Sequence, residues 1–310
     1  RLGNPEKAIP AVHVAGTNGK GSTCRALAQM LTGMGYRVGL FTSPHLVSIN
    51  ERIQIDGENI SDADFVWAFE TVKEKFTQHP SFFEVMFAMA AVYFREKKCD
   101  FVVYETGMGG RLDATNVLMP ELSIITSVGM DHMEYLGDTI EKIAAEKAGI
   151  IKPGIPIIYF KRDEAVAKVI EDTARGQKSP VIPVEKQDYI INHLGDKTID
   201  FSLHSRYYSY CNLVIQKTSL YQLENISLAV MAFYGLMKAR NASEEDIEKC
   251  IRETLPEFYW EGRMEEIAPH IYVDGAHNVE AIRAYIDTMR TLHRDDRKIL
   301  VFAAVRDKEY

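Results

Sequence analysis

Short apolar runs alternate with longer stretches of helical period along most of the chain. Ala11 to Ala15, Tyr36 to Phe41, Phe101 to Tyr104, Leu122 to Ser127 and Ile155 to Phe160 are apolar runs of strand length. Between them, Thr23, Ala26, Leu27, Met30 and Leu31 recur at helical spacing, as do Phe65, Val66, Phe69 and Val72 within Asp62 to Lys75 and Phe76 just after it. Ser81 to Lys98 and Asp138 to Gly149 read as further helices, and Ser61 as the cap of the Asp62 helix. Near-continuous apolar strands separated by helices predict a mostly parallel sheet whose ligands gather at the carboxyl ends of its strands. Gly16, Ser43, Glu105 and Asp131 all fall on that edge.

The pattern changes over Val181 to Gln216, where short β-prone runs and turn signals such as Leu194-Gly195-Asp196 predict a small antiparallel patch. Val47 to Asp56, with alternating Ile49, Ile53 and Ile55, reads as a lid or small hairpin after the loop that Pro44 forces. Leu223 to Met237 and Glu244 to Leu255 are helical, and Pro256 to Gly262 breaks the pattern. Ile271 to Asn278 then starts a new strand, turn and helix. The expected fold is α/β, with a phosphate-loop ATPase domain over residues 1–260. The start of a second, smaller Rossmann-like α/β domain follows over 261–310. Arg1 at the start, and a stop at Tyr310 just after the strand-like Ile299 to Val305, make both ends look cut.

Composition narrows the class of partner. A chain of 310 residues with 46% hydrophobic content can bury a sizeable core in two domains. A net charge of -8 argues against a broad basic face for nucleic acid, so an anionic substrate must be held by local positive groups. Cys24, Cys99, Cys211 and Cys250 form no C-x-x-C pair, which suggests neither a zinc site nor a disulfide framework. No apolar run approaches a membrane span and no signal peptide is recognisable. A cytoplasmic monomer, with no nucleic-acid or membrane partner, is the expectation.

The chemistry centres on Gly16-Thr17-Asn18-Gly19-Lys20-Gly21-Ser22, where an apolar strand runs into a glycine loop that opens a helix. Such loops let backbone N–H groups converge on a polyphosphate, while the helix N-terminus and a lysine add positive charge. The spacing departs from G-x-x-x-x-G-K-[ST], because Gly21 separates Lys20 from Ser22, and alone it also suits a ligand-free turn. A phosphate loop calls for magnesium, for which Glu105 is the best carboxylate and Ser43 and His132 are candidate partners. His132 equally suits a helix cap or a core position, and Asp131-His132 a turn.

The whole set of motifs resembles the Mur ligase superfamily and, within it, the folylpolyglutamate synthase and dihydrofolate synthase family. The matching stretches are His13 to Ser22, Thr42-Ser43-Pro44-His45-Leu46 with Asn50-Glu51-Arg52-Ile53, Glu105 to Asn116, and Asp131-His132. They continue through Glu146 to Ile150, Tyr221 to Asn225, Gly262-Arg263-Met264-Glu265 and Asp274 to Asn278. Glu261 and Val279 stand where the family usually has proline, and Ser219 where it has glycine.

The resemblance implies an ATP-dependent amide ligase that joins L-glutamate to a reduced folate or to dihydropteroate through an acyl phosphate. It implies that residues 16–22 cradle the triphosphate, with Lys20 and His132 at the reacting phosphoryl group. Ser43, Glu105 and His132 would bind magnesium, and Lys147, if carbamylated, a second magnesium. Gln222, Asn225, Arg263, Asp274 and His277 would contact the nucleotide. Ser43, Pro44, His45, Arg52, Phe82 and Phe83 would line the folate site, although Phe82 and Phe83 suit core packing as well. A related ligase acting on a UDP-linked cell-wall precursor is the alternative. A nucleotide-binding regulator without ligase activity is a second rival.

Overall fold

The computed structural model describes residues 2–195, 198–216, 219–292 and 297–303. In chain order the first half comprises β1 (Ala11–Ala15), α1 (Lys20–Gly33), β2 (Val38–Phe41), β3 (Ile53–Ile55), β4 (Glu58–Asn59), α2 (Asp62–Lys73), α3 (Phe82–Glu96), β5 (Phe101–Glu105) and β6 (Leu122–Ile125). There follow α4 (Met133–Leu136), α5 (Ile140–Ala148), β7 (Ile157–Phe160), α6 (Glu164–Gly176), β8 (Val181–Val184), β9 (Tyr189–Leu194), β10 (Thr198–His204) and β11 (Ser209–Gln216). The last elements are α7 (Gln222–Ala239), α8 (Glu244–Thr254), β12 (Glu265–Ala268), β13 (Ile271–Val273) and α9 (Val279–Leu292).

An eight-stranded sheet in the order β4-β3-β2-β5-β1-β6-β7-β8 forms the frame. Strands β2 and β5 to β8 run parallel with β1, and only the β3–β4 hairpin, which continues the edge beside β2, is antiparallel. Parallel strands need cover on both faces, and the alternation of side chains divides that cover. Val12 and Val14 of β1 point into a core shared with α1 and α7, whereas Ala11 joins the opposite cluster built from α3 and Phe41. A third cluster joins Ala15 and Ile125 to α5 and α6. Burying each large aliphatic side chain in these layers contributes ~1.5–3 kcal/mol. Helix starts follow their caps: Ser61 accepts from Asp64 N, and Ser81 and Glu84 form a reciprocal capping box.

Strand order reverses at β1, which has β5 on one side and β6 on the other. That reversal is the point where open α/β sheets place ligands. The antiparallel patch forms a separate three-stranded sheet, β11-β10-β9, whose Ile199, Phe201, Leu213 and Ile215 pack into the α1–α7 core.

The sequence reading is corrected at its start, because Val181–Val184 pairs parallel with β7 and belongs to the main sheet. Pro183 fits this place, because an edge strand tolerates a residue that donates no hydrogen bond. Helix α6, which that reading passed over, is capped by Asp163 and buries Val166, Ala167, Ile170 and Ala174. Residues 299–303 carry no strand, and the rest of the expected Ile299 to Val305 strand lies outside the described residues, as does Asp196 of the expected turn.

Candidate active site

The glycine loop follows β1 directly. Gly16 (φ +158°) and Gly19 (φ +85°) occupy backbone conformations and close approaches that exclude a side chain. A Cβ on Gly16 would lie 1.9 Å from Thr126 Oγ1, and one on Gly19 would lie 2.1 Å from Asn225 Oδ1. The loop is fastened to the end of β6: Thr126 Oγ1 donates to Asn18 O at 2.6 Å, and Asn18 N donates to Ser127 Oγ at 2.9 Å. Lys20 Nζ folds back to donate to Gly16 O and Thr17 O at 3.0 and 3.3 Å. The hydroxyl of Ser22 is buried with no hydrogen-bond partner.

A cavity of about 800 Å³ opens over this loop. All seven loop residues line it, together with Ser43, Glu105, His132, Lys147, Asn225, Arg263, Asp274 and His277. The expected strand-end set and the second-domain residues therefore meet in one space. Pro44, Arg52 and Phe83 line it as well, whereas His45, Phe82 and Gln222 do not. His45 Nδ1 instead accepts from Arg52 Nε at 2.8 Å. Phe82 lies beneath the Arg52 guanidinium, 5.1 Å from ring centre to Cζ, and is exposed. Gln222 is buried and orients Asn225, whose Nδ2 donates to Gln222 Oε1 at 2.8 Å.

Two buried ionisable groups in the cavity both feel the charge of Lys20. Glu105 is 3% exposed, and burial raises its carboxyl to about 7 despite Lys20, the Ser43 N–H, Arg263 and Arg52, which favour the anion. Its Oε1 lies 4.0 Å from Lys20 Nζ, and its Oε2 accepts from Ser43 N at 3.0 Å. Lys147 is 2% exposed, and burial followed by the charge of Lys20 lowers its amine to about 7, against the pull of Asp131 and Glu280. His132 starts α4 in the left-handed region at φ 51° with no side-chain cap, so its ring is not spent on the helix. Its Nε2 stands 3.9 Å from Asp131 Oδ1.

Among the described residues no group of three His, Cys, Asp or Glu side chains converges as a metal cluster. The donors beside the loop are one carboxylate, hydroxyls and an imidazole. With phosphate oxygens added, that set suits a hard cation that keeps several waters, and the unpartnered Ser22 hydroxyl fits such a cradle.

Several cavity residues were not foreseen. Tyr221 Oη donates to Asp274 Oδ2 at 2.5 Å, and the same carboxylate accepts from Met264 N at 3.0 Å and Ala276 N at 2.8 Å. Arg162 pairs with Glu224 at the wall beside Asn225, and Glu280 of α9 reaches over Gly129. Beneath the floor, Asp113 accepts from the N–H groups of Gly107 and Met108 at 2.9 and 3.0 Å. Thr115 links that carboxylate to fully buried His13, whose imidazole is held neutral by burial and by nearby Lys152.

The Mur ligase middle-domain model matches residues 14–233, and the Mur ligase glutamate-ligase domain model matches residues 262–310. The chain belongs to the Mur ligase family. It is 40% identical to the dihydrofolate synthase/folylpolyglutamate synthase of Bacillus subtilis, over all of this chain and 74% of that one. It is 34% identical to the folylpolyglutamate synthase of Lacticaseibacillus casei, with the same coverage. Among solved structures, an FPGS–AMPPCP–folate complex matches with a TM-score of 0.87 at 33% identity, over 94% of this chain and 73% of the other. The Thermotoga maritima folylpolyglutamate synthase matches with a TM-score of 0.81 at 36% identity, over 93% and 68%.

Proposed function

We infer that the protein is an ATP-dependent carboxylate–amine ligase that adds L-glutamate to a reduced folate or to dihydropteroate. One observation carries the reading: a phosphate loop, a buried carboxylate, a buried lysine and an arginine–aspartate pair from residues 262–310 line a single cavity. The named relatives favour a folate acceptor over a cell-wall precursor.

Each part has a task that follows from its geometry. The loop amides and the α1 N-terminus hold the polyphosphate, and Lys20 leaves its own carbonyls to face the transferring group. Asn225, set by Gln222, contacts adenine. Asp274, fixed by Tyr221 and two backbone N–H groups, holds the sugar side together with Arg263, and His277 stands beside them. Glu105, Ser43 and His132 would hold magnesium, and carbamylated Lys147 a second ion. An ion held there would neutralise phosphate charge and polarise the transferred group. As ligand, the His132 nitrogen has no lone pair left for general-base work.

A carboxylate resists amines, so the folate carboxylate first accepts the γ-phosphoryl group. Glutamate's amine then attacks the acyl carbon and phosphate leaves. The protein orients the reactants and stabilises charge without forming a covalent bond. Ser43, Pro44, Arg52 and Phe83 line the acceptor side, while His45 and Phe82 act only through Arg52. We place the enzyme in the cytoplasm as a monomer, where its four free cysteines stay reduced.

The test incubates the full-length protein with ATP and magnesium plus tetrahydrofolate or dihydropteroate, with and without glutamate. Glutamate-dependent ADP release is expected with at least one acceptor. Its absence with both sinks the reading.

A further inference from the structure

Gly21, the residue that sets this loop apart from the common phosphate-loop spacing, touches the segment joining the two domains. A Cβ at Gly21 would lie 3.1, 3.2 and 3.3 Å from Cζ2, Nε1 and Cε2 of Trp260, tighter than nearly all real Cβ contacts. The indole is half-buried, packs against the α1–α7 core, and does not line the cavity. The neighbouring residues of the segment make further contacts. Gly262 lies at φ +64°, with its absent Cβ 3.0 Å from Leu46 Cδ1 on the acceptor loop. Its carbonyl accepts from Gly275 N at 2.9 Å and from Arg263 Nη1 at 3.0 Å. Glu261 attracts Arg25, one turn along α1 from Gly21. Residues 260–263 therefore touch the phosphate loop, the acceptor loop and the second domain at once.

We propose that Trp260 is a positioning residue that sets the backbone of Gly21 against the polyphosphate and links the loop's geometry to that of the inter-domain segment. The indole is a flat, rigid wall behind a residue without a side chain. When the segment shifts, the wall and the Gly21 N–H shift together. Glycine at 21 is then required by the packing of Trp260 as well as by the phosphate. This deepens the ligase reading above and rests on it.

The test uses the full-length enzyme with Trp260→Ala, Trp260→Phe and, as reporter background, Trp67→Phe; Trp67 lies on α2, away from the cavity. Trp260→Ala is expected to raise the KM for ATP about tenfold, ~1.4 kcal/mol, with kcat changed far less and the folate KM unchanged. Trp260→Phe, which keeps an aromatic face, restores most of the loss. In the Trp67→Phe background, where Trp260 is the one tryptophan of the 310 residues that remains, ATP analogue shifts the tryptophan emission. An unchanged ATP KM in Trp260→Ala overturns the proposal. So does equal loss in the Ala and Phe variants, or no emission change on binding. Glutamate-dependent ADP release by wild type with a pterin acceptor separates this failure from that of the ligase reading, because its absence sinks the ligase reading whatever the Trp260 variants do. Equal melting temperatures show that a kinetic change is not misfolding.

Discussion

Asn278 and Asn18 exchange side-chain hydrogen bonds across 260 residues of sequence: Asn278 Nδ2 donates to Asn18 Oδ1 at 2.9 Å, and Asn18 Nδ2 donates back at 3.2 Å. Asn278 also donates to Asp131 Oδ2 at 3.1 Å and accepts from Ala281 N at 3.0 Å, which caps α9. One amide thus ties the start of the last helix to the phosphate loop and to the β6 strand end. Asn18→Ala and Asn278→Ala should each lower kcat/KM for ATP. In a double-mutant cycle the pair should couple by ~0.5–3 kcal/mol, because both singles break the same bonds. Additive losses would show that the domains are held elsewhere.

Glu105 gives the substrate-free protein a pH signature. Its folded carboxyl titrates near 7, above the usual 4.5, so the folded state keeps a proton that the unfolded chain releases. Stability should therefore fall as pH rises from about 4.5 to 7, by no more than ~3 kcal/mol from this group. Chemical denaturation of wild type and Glu105→Gln across that window checks it. The variant should lack this component, and it should lose turnover. Identical pH profiles would refute the assignment.

The acceptor loop is organised by one half-buried carboxylate. Glu51 accepts from the backbone N–H groups of Leu46, Val47 and Ser48 at 2.7, 3.0 and 2.5 Å, and Ser48 caps the following turn. Glu51→Ala frees residues 46–48 and should raise the folate KM about tenfold while leaving the ATP KM in place, since ordering that loop would then fall to the ligand. Steady-state kinetics with each substrate varied in turn separates the two. A parallel rise in both constants would mean the loop does not act on the acceptor alone.

How far the sequence could be read depends on the distance over which each cause acts. Caps such as Ser61 and Ser81, the apolar strands and the glycine loop are local, and the fold class follows from them. The edge position of β8 depends on β7 pairing, which no local pattern encodes once Pro183 interrupts the run. The cavity set was legible because Glu105 ends β5 while Ser43 and His132 lie on the loops that follow β2 and β6, where a parallel sheet gathers them. His13 heads one of the matching motifs, but its task was not legible, since its partner Thr115 lies 102 positions away. Trp260 behind Gly21 is likewise a contact between a loop and a connecting segment, with no periodicity to announce it. Phe82 shows the opposite error: an aromatic in a helix start looked like core or ligand wall, and it lies exposed under Arg52.

Lys147 provides the sharpest test of the site. A buried amine that titrates near 7 is about half neutral at pH 7, and the lone pair of that form can attack carbon dioxide, losing a proton to leave a carbamate. Lys147→Ala should lose turnover and regain part of it with short carboxylic acids, which restore an anion in the vacated space. Wild-type activity should fall in buffers stripped of carbon dioxide and recover with bicarbonate. Stability offers an independent readout. The folded amine releases its proton near 7, whereas the unfolded one keeps it to about 10.5, so wild-type stability should rise with pH across that window. In carbon-dioxide-free buffer Lys147→Met should therefore be more stable than wild type at pH 7, by at most ~5 kcal/mol, and the advantage should shrink towards pH 10. A constant difference between the two proteins over that range would mean that Lys147 keeps its proton in the fold, and the carbamate would lose its basis.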